Sequence, residues 1–219
     1  MKQQKFLIRR ETEADYAAAE RITREAFWNV NVPGCNEHYY LHCMRSHRDY
    51  LPGLCFVAEM NGEVVGSIHW LRAWLADEAG QEKEIATFGP LSVLPAYQRQ
   101  GIGKALVAHS LAATKKQGID AVVIFGNPDN YVSSGFVSCL KHQIALQDGF
   151  LSAAMLVCVL KEGALAGHSW EFHESDAGAC LADAAAATAF EEGFPPKQKA
   201  WRPSQEEFFI HSRSVMLQQ

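Results

Sequence analysis

The chain has 219 residues, of which 48 % are hydrophobic, enough to bury an ordinary core in one domain with room for an appendage. Its net charge of −5 argues against nucleic acid as a main partner, and no apolar run approaches the roughly 18 residues that a membrane span needs. Cys35, Cys43, Cys55, Cys139, Cys158 and Cys180 are scattered without a C-x-x-C, so reduced thiols rather than a disulfide framework are expected. After Met1-Lys2-Gln3-Gln4-Lys5, only Phe6-Leu7-Ile8 precedes Arg9-Arg10, too short for a signal peptide, so a cytoplasmic protein is expected.

In chain order, Phe6 to Arg9 reads as a short strand. Thr12-Glu13-Ala14-Asp15 has the form of a capping box, and the helix behind it gathers Tyr16, Ala19, Ile22, Ala26 and Phe27 on one face. Val32-Pro33-Gly34 breaks that helix, and a second is expected over Glu37 to His47. His38 and His42 stand four apart there, the spacing of a shared metal. No Glu makes an H-E-x-x-H and no further ligands cluster nearby, so no metal site is expected. Leu54 to Met60, the turn Asn61-Gly62 and Glu63 to Trp74 spell a hairpin with a type I′ turn. Ala76 to Gln81 leads to the next strand, the fourth, Glu82 to Val93, where Gly89-Pro90 implies a bulge or a splayed edge.

Gly89 to Gln117 joins an apolar strand end, a turn with two glycines and a helix with the buried stripe Ile102, Leu106, Val107, Ser110 and Leu111. The first amides of a helix lack intrahelical partners and its dipole is positive at that end, so a glycine-lined start can hold an anion. Arg99 and Lys104 add charge beside Gly101 and Gly103. On these terms the turn is either a phosphate cradle or a plain strand-to-helix connection. The Walker spacing and the dinucleotide fingerprint are both absent, since the position three after Gly103 is Leu106.

Gln98-Arg99-Gln100-Gly101-Ile102-Gly103, preceded by Leu91-Ser92-Val93 and Pro95, resembles the Q/R-x-x-G-x-G/A motif of the GCN5-related N-acetyltransferases, the GNAT superfamily. The resemblance implies an α/β (α+β) fold, with a central mixed sheet of about seven strands flanked by helices and splayed fourth and fifth strands. Ala121 to Phe125 reads as the fifth strand, parallel to the fourth across a helical crossover. Gly126-Asn127-Pro128-Asp129 ends it, and a short helix over Asn130 to Ser134 leads into Phe136. Further strands are expected over Gln143 to Gln147 and Ala153 to Leu160. G-N-P-D-N-Y-V-S-S-G-F is similar to a segment of one bacterial subgroup of the superfamily, but carries Asn130 and Ser133-Ser134 where that subgroup has Tyr and Arg-Phe.

Beyond Gly163 the composition shifts to an alanine-rich helix, Ala177 to Phe190, ended by Gly193-Phe194-Pro195-Pro196-Lys197. Phe172, Phe190, Phe194, Trp201, Phe208 and Phe209 need burial, so residues 163–219 are expected to form a helical extension packed on the core or on a second subunit of a homodimer. The acetyltransferase domain is expected over residues 5–162.

For the chemistry, the resemblance implies acetyl-CoA as cosubstrate. The amides from Gln100 to Ala105, with Gln98, Arg99 and Lys104, would take its pyrophosphate, Leu91, Ser92 and Val93 its pantetheine arm and thioester, and Asn127 would lie against it. A primary amine, on a small molecule or a protein, would attack directly, and Tyr131 would protonate the leaving sulfur as general acid. Tyr39, Tyr40 and His42 would contact the acceptor. The glutamate many relatives use as base falls on Thr87, leaving Glu84 and His69 as candidates and no base assigned. The other reading is a non-catalytic acyl-CoA-binding or sensing module.

Overall fold

The computed structural model describes residues 6–215, so the expected domain limits at 5 and 219 lie outside the described residues. Strand β1 (Leu7–Arg10) precedes helices α1 (Tyr16–Phe27) and α2 (Glu37–Met44). Strands β2 (Phe56–Met60), β3 (Glu63–Asp77) and β4 (Glu82–Val93) follow, then α3 (Ile102–Lys116) and β5 (Ala121–Phe125). After α4 (Pro128–Tyr131) come β6 (Val137–Ser138), β7 (Ile144–Leu146), β8 (Met155–Val159) and β9 (Trp170–His173), and the chain closes with α5 (Ala184–Glu191) and α6 (Pro203–Arg213).

Local chemistry starts these elements. The Asp15 carboxylate accepts from the Thr12 amide at 2.9 Å and from its hydroxyl at 2.8 Å, which caps the entry to α1. Asn61 and Gly62 both have positive φ, 52° and 82°, as the type I′ turn requires. Helix α2 stops at Met44 rather than His47, because the Ser46 and His47 amides turn back to the carbonyls of Cys43 and Met44 in short i→i−3 bonds.

The mixed sheet holds nine strands among the described residues, with the path β1-β2-β3-β4-β5-β8-β6. The count exceeds the expected seven partly because β9, from the extension, pairs antiparallel with the far end of β3 and parallel with β7. The extension is therefore not wholly helical. Its alanine-rich run also divides, into a 3₁₀ segment over Asp176–Ala182 and α5, which starts where the Asp183 side chain accepts from the Ala186 amide at 2.9 Å.

The centre of the sheet opens where it was expected to. Ala86↔Val122 is the one β4–β5 partner pair among the described residues, and from Phe88 to Val93 β4 pairs with β3 alone. Ile68 faces Leu91 and Trp70 faces Phe88, so Gly89 and Pro90, joined by a cis peptide bond, oppose His69 alone as a bulge. Helix α3 covers one face of the sheet: its stripe residues are all buried, and Gly66 lets Ile102 and Leu106 approach β3, where an added Cβ would lie 3.3 Å from each. Helix α1 takes the other face. Val93 turns toward Gly103 while its neighbour Ser92 hydrogen-bonds Thr23 of α1 at 2.9 Å, as the two-residue alternation of a strand dictates.

Candidate active site

The turn between β4 and α3 is exposed and rich in unpaired donors. Gly101, the N-cap, has φ of 87° and Arg99 has φ of 61°, both left-handed. The first helical bond runs from the Ala105 amide to the Gly101 carbonyl at 3.0 Å. Among the described residues, no acceptor meets the amides of Gln100, Gly101, Ile102, Gly103 or Lys104. The free donors therefore end at Lys104, one short of the expected span. Gln98 braces the turn by donating to the Val93 carbonyl at 3.0 Å, and Gln100 does so to Ala96 at 3.2 Å. The Arg99 and Lys104 side chains stand in solvent beside these donors. A row of free amides at the positive end of a 15-residue helix, with two cations at its rim, fits a pyrophosphate.

The cradle opens directly onto the splay. Leu91 and Val93 are half-buried, and Ser92, whose side chain is spent on Thr23, offers the splay only its backbone. Across the opening, Asn127 caps α4 by accepting from the Asp129 amide at 3.0 Å, and Pro128 follows as the first helical residue.

That short helix delivers Tyr131 to the end of β5. The ring lies so close over Gly126 that a Cβ there would stand 2.5 Å from Cε2. Phe88 of β4 and Phe136 flank it at centroid distances of 5.8 Å each. Burial among these groups pushes the phenol up to about 12, and no group among the described residues hydrogen-bonds the hydroxyl. The site thus contains a protonated phenol with its donor uncommitted.

Helix α2 lies on the other side. Tyr39 and His42, expected to contact an acceptor, both have Phe190 of α5 beside them, at ring distances of 5.5 and 4.6 Å. Tyr40 is half-buried, and burial, reinforced by Glu174, raises its phenol. Of the two candidate bases, Glu84 is exposed and pairs with Arg72 at 3.3 Å, opposite Trp74 and away from the splay. His69 is fully buried, with Nε2 3.0 Å from Glu11. Sequence reading missed Glu11, 58 positions away in the chain, because no local pattern links it to His69. It missed Gly126 as a seat for Tyr131 for want of any signal beyond the glycine itself. Three groups, His47, Asp49 and Asp176, come together closely enough to hold a cation, but Arg48 ion-pairs with Asp176 at 3.1 Å.

The fold agrees with the comparisons to known proteins. A model of the Acetyltransferase (GNAT) family matches residues 21–139, just over half the chain, and the chain belongs to that family. The uncharacterized N-acetyltransferase YjhQ of Escherichia coli (strain K12) is 30 % identical over 88 residues, 40 % of this chain and 48 % of that relative, so the match spans about half its length. Among solved structures, a GNAT family acetyltransferase from Brucella melitensis in complex with acetyl-CoA aligns with a TM-score of 0.62 at 26 % identity, over 79 % of this chain and 97 % of its own. The GNAT family N-acetyltransferase YhbS from Escherichia coli, in complex with CoA, shares the fold at a TM-score of 0.69 and 24 % identity, over 80 % and 92 % of the two chains. No helix among the described residues is long and apolar enough to cross a membrane.

Proposed function

We propose that this chain transfers an acetyl group from acetyl-CoA to a primary amine, on a small molecule or a protein, with residues 5–162 as the catalytic domain and 163–219 as an extension packed on it. The observation that carries the reading is the row of acceptor-free amides from Gln100 to Lys104 opening onto the gap between β4 and β5. The acetyl-CoA held by the Brucella melitensis relative supports the same cosubstrate here.

In this reading the amides of Gln100 to Lys104, with Arg99 and Lys104, hold the pyrophosphate, and the backbone of Leu91, Ser92 and Val93 lines the pantetheine arm, with Asn127 across the gap. A strand amide donating to the thioester carbonyl stabilises the charge that develops there as the amine attacks. The new C–N bond forms, the C–S bond breaks, and Tyr131 gives its proton to the departing thiolate while the amine loses one to solvent. A phenol raised to about 12 remains protonated throughout the physiological range, as a general acid must. Helix α2, with Tyr39, Tyr40 and His42, together with Phe190 forms the acceptor-side wall.

The test is acetyl-CoA binding by calorimetry on the wild type, Gly103→Glu and Tyr131→Phe, followed by turnover against a panel of amines. Gly103→Glu should abolish binding, since a carboxylate would enter the cradle. Tyr131→Phe should bind within about threefold of wild type and turn over roughly 10²-fold more slowly. Equal binding by wild type and Gly103→Glu would overturn the cradle, and unaltered turnover by Tyr131→Phe would remove it as the acid.

A further inference from the structure

The bulge in β4 has its own buried support. His69, the lone residue of β3 opposite Gly89 and Pro90, has no exposed surface. Its Nδ1 lies 3.4 Å from the Pro90 carbonyl oxygen, at the long end of hydrogen-bond range, and its Nε2 lies 3.0 Å from Glu11 Oε1. Both contacts are acceptors, so the ring serves the two together with a proton on each nitrogen. Glu11 is itself fixed on three sides. Arg45 pairs with it at 2.7 Å, the Tyr50 hydroxyl donates to it at 3.0 Å, and its own amide donates to the Cys55 carbonyl at 3.0 Å. The guanidinium of Arg45 in turn stacks on the Tyr16 ring at 3.9 Å and holds Glu20 at 2.7 Å. Burial acts against a charged Glu11, yet His69 and Arg45 hold its carboxyl below the usual carboxylate range.

A set of buried charges costs desolvation, and replacing such a set by apolar side chains is often neutral or favourable. A gain in stability is therefore a weak reason for such a set at this position. What it does is fix one imidazole against the carbonyl of a residue that brings no N–H to the strand ladder. The very next residues, Leu91 to Val93, line the splay.

We infer that His69, oriented by Glu11, is a positioning residue: it locks the Gly89-Pro90 bulge and so sets the line along which Leu91–Val93 leave β5 to receive the acyl-pantetheine arm. The role of Leu91–Val93 in this inference rests on the function proposed above; the locking of the bulge does not. His69 touches no reacting atom. Enclosed on all sides and engaged at both nitrogens, it acts through the β4 backbone.

Two amide substitutions separate this role from a merely structural one. His69→Asn keeps a donor close to the Nδ1 position, toward Pro90. His69→Gln, one methylene longer, places its donor toward Glu11, keeps that carboxylate partnered and leaves the Pro90 carbonyl without one. The measurements are hydrogen exchange of the 88–93 segment against β5 and α3 as internal references, and acetyl-CoA affinity by calorimetry. His69→Gln should exchange about tenfold faster over 88–93 alone. It should also bind acetyl-CoA roughly tenfold more weakly, with KM rising more than kcat falls. His69→Asn should stay within about threefold of wild type in both. Equal behaviour of the two variants, or faster exchange spread evenly over the sheet, would overturn the inference. If the Asn and Gln variants differ in exchange but wild type binds no acetyl-CoA, the bulge lock stands and the acetyl-CoA reading fails.

Discussion

Gly126 and Tyr131 show how one missing Cβ seats an aromatic ring. Cε2 of the phenol stands where any side chain at Gly126 would have to begin, so the ring can lie flat against the end of β5 between Phe88 and Phe136. Gly126→Ala would force the ring away, because contacts as short as 2.5 Å are not tolerated. The backbone at Gly126 has no positive φ, so the substitution brings no dihedral strain of its own. The expected result is a kcat loss of about tenfold or more, with acetyl-CoA affinity within a few-fold of wild type. Steady-state kinetics beside calorimetry checks it; unchanged kcat would show that the ring's position is immaterial. The alkaline limb of the wild-type pH–rate profile should likewise not reflect Tyr131 below about pH 11, since burial holds its phenol near 12.

At the scale of elements, the two glycines that open α3 do different work. Gly101 needs its left-handed φ of 87°, which costs an alanine roughly 1–2 kcal/mol. Gly103 sits in ordinary helical backbone, and an added Cβ would make a normal 3.8 Å contact with Val93 Cγ2. Gly103→Ala should therefore stabilise the fold by about 0.5–1 kcal/mol, from helix propensity, and leave acetyl-CoA binding within a few-fold of wild type, since the motif admits Ala as well as Gly at this position. Gly101→Ala should lose on both counts. Urea unfolding and calorimetry on the pair decide it: a Gly103→Ala protein that loses stability as Gly101→Ala does would show that both glycines serve the dihedral angles of the turn. This turn, the hairpin at Asn61-Gly62 and the stripe of α3 were legible because each has a local sequence signature with a steric cause. The β4 bulge was legible for the same reason, since proline cannot complete a strand ladder. Residues that meet only through the tertiary fold were not. Glu11 reaches His69 across the sheet, and Phe190 reaches Tyr39 and His42 from the far end of the chain. β9, which precedes the alanine-rich run, was missed because a four-residue strand in an extension expected to be helical carries too little period to stand out.

For the whole molecule, the question is how firmly the extension is held, because its Phe190 lies on Tyr39 and His42, the residues proposed to wall the acceptor side. β9 ties its start into the sheet, and the part from α5 onward is anchored on Arg24, whose side chain is 2 % exposed. The guanidinium donates to Glu191 through Nε at 3.0 and 3.1 Å and to the Pro195 carbonyl at 2.9 Å, and it stacks on Trp28 and Phe194. Around it, the Trp28 indole N–H donates to the Gln198 carbonyl at 3.0 Å, and Asn29 accepts from the Ala200 amide at 3.0 Å. His38 Nε2 also lies 2.9 Å from Glu191, so one carboxylate joins α1, α2 and α5. Glu191→Gln would leave the buried guanidinium without its counter-charge. Breaking one side of a buried pair costs about 3–5 kcal/mol, and the partial exposure of Glu191, 26 %, lowers the expected loss to roughly 2–3 kcal/mol. Where that loss falls tells how the molecule is built. If the extension and core unfold together, the urea midpoint drops in one transition with unchanged slope. If the extension opens by itself, the core transition stays put while trypsin, cutting after Lys197 or Lys199, cleaves the variant at least tenfold faster in native buffer. The second outcome is expected, because α5 and α6 have few fully buried residues of their own and are held mainly through this anchor. Opening of that kind would uncover Tyr39 and His42, so the same variant should also change KM for the amine and leave acetyl-CoA affinity, set at the opposite end of the splay, as it was.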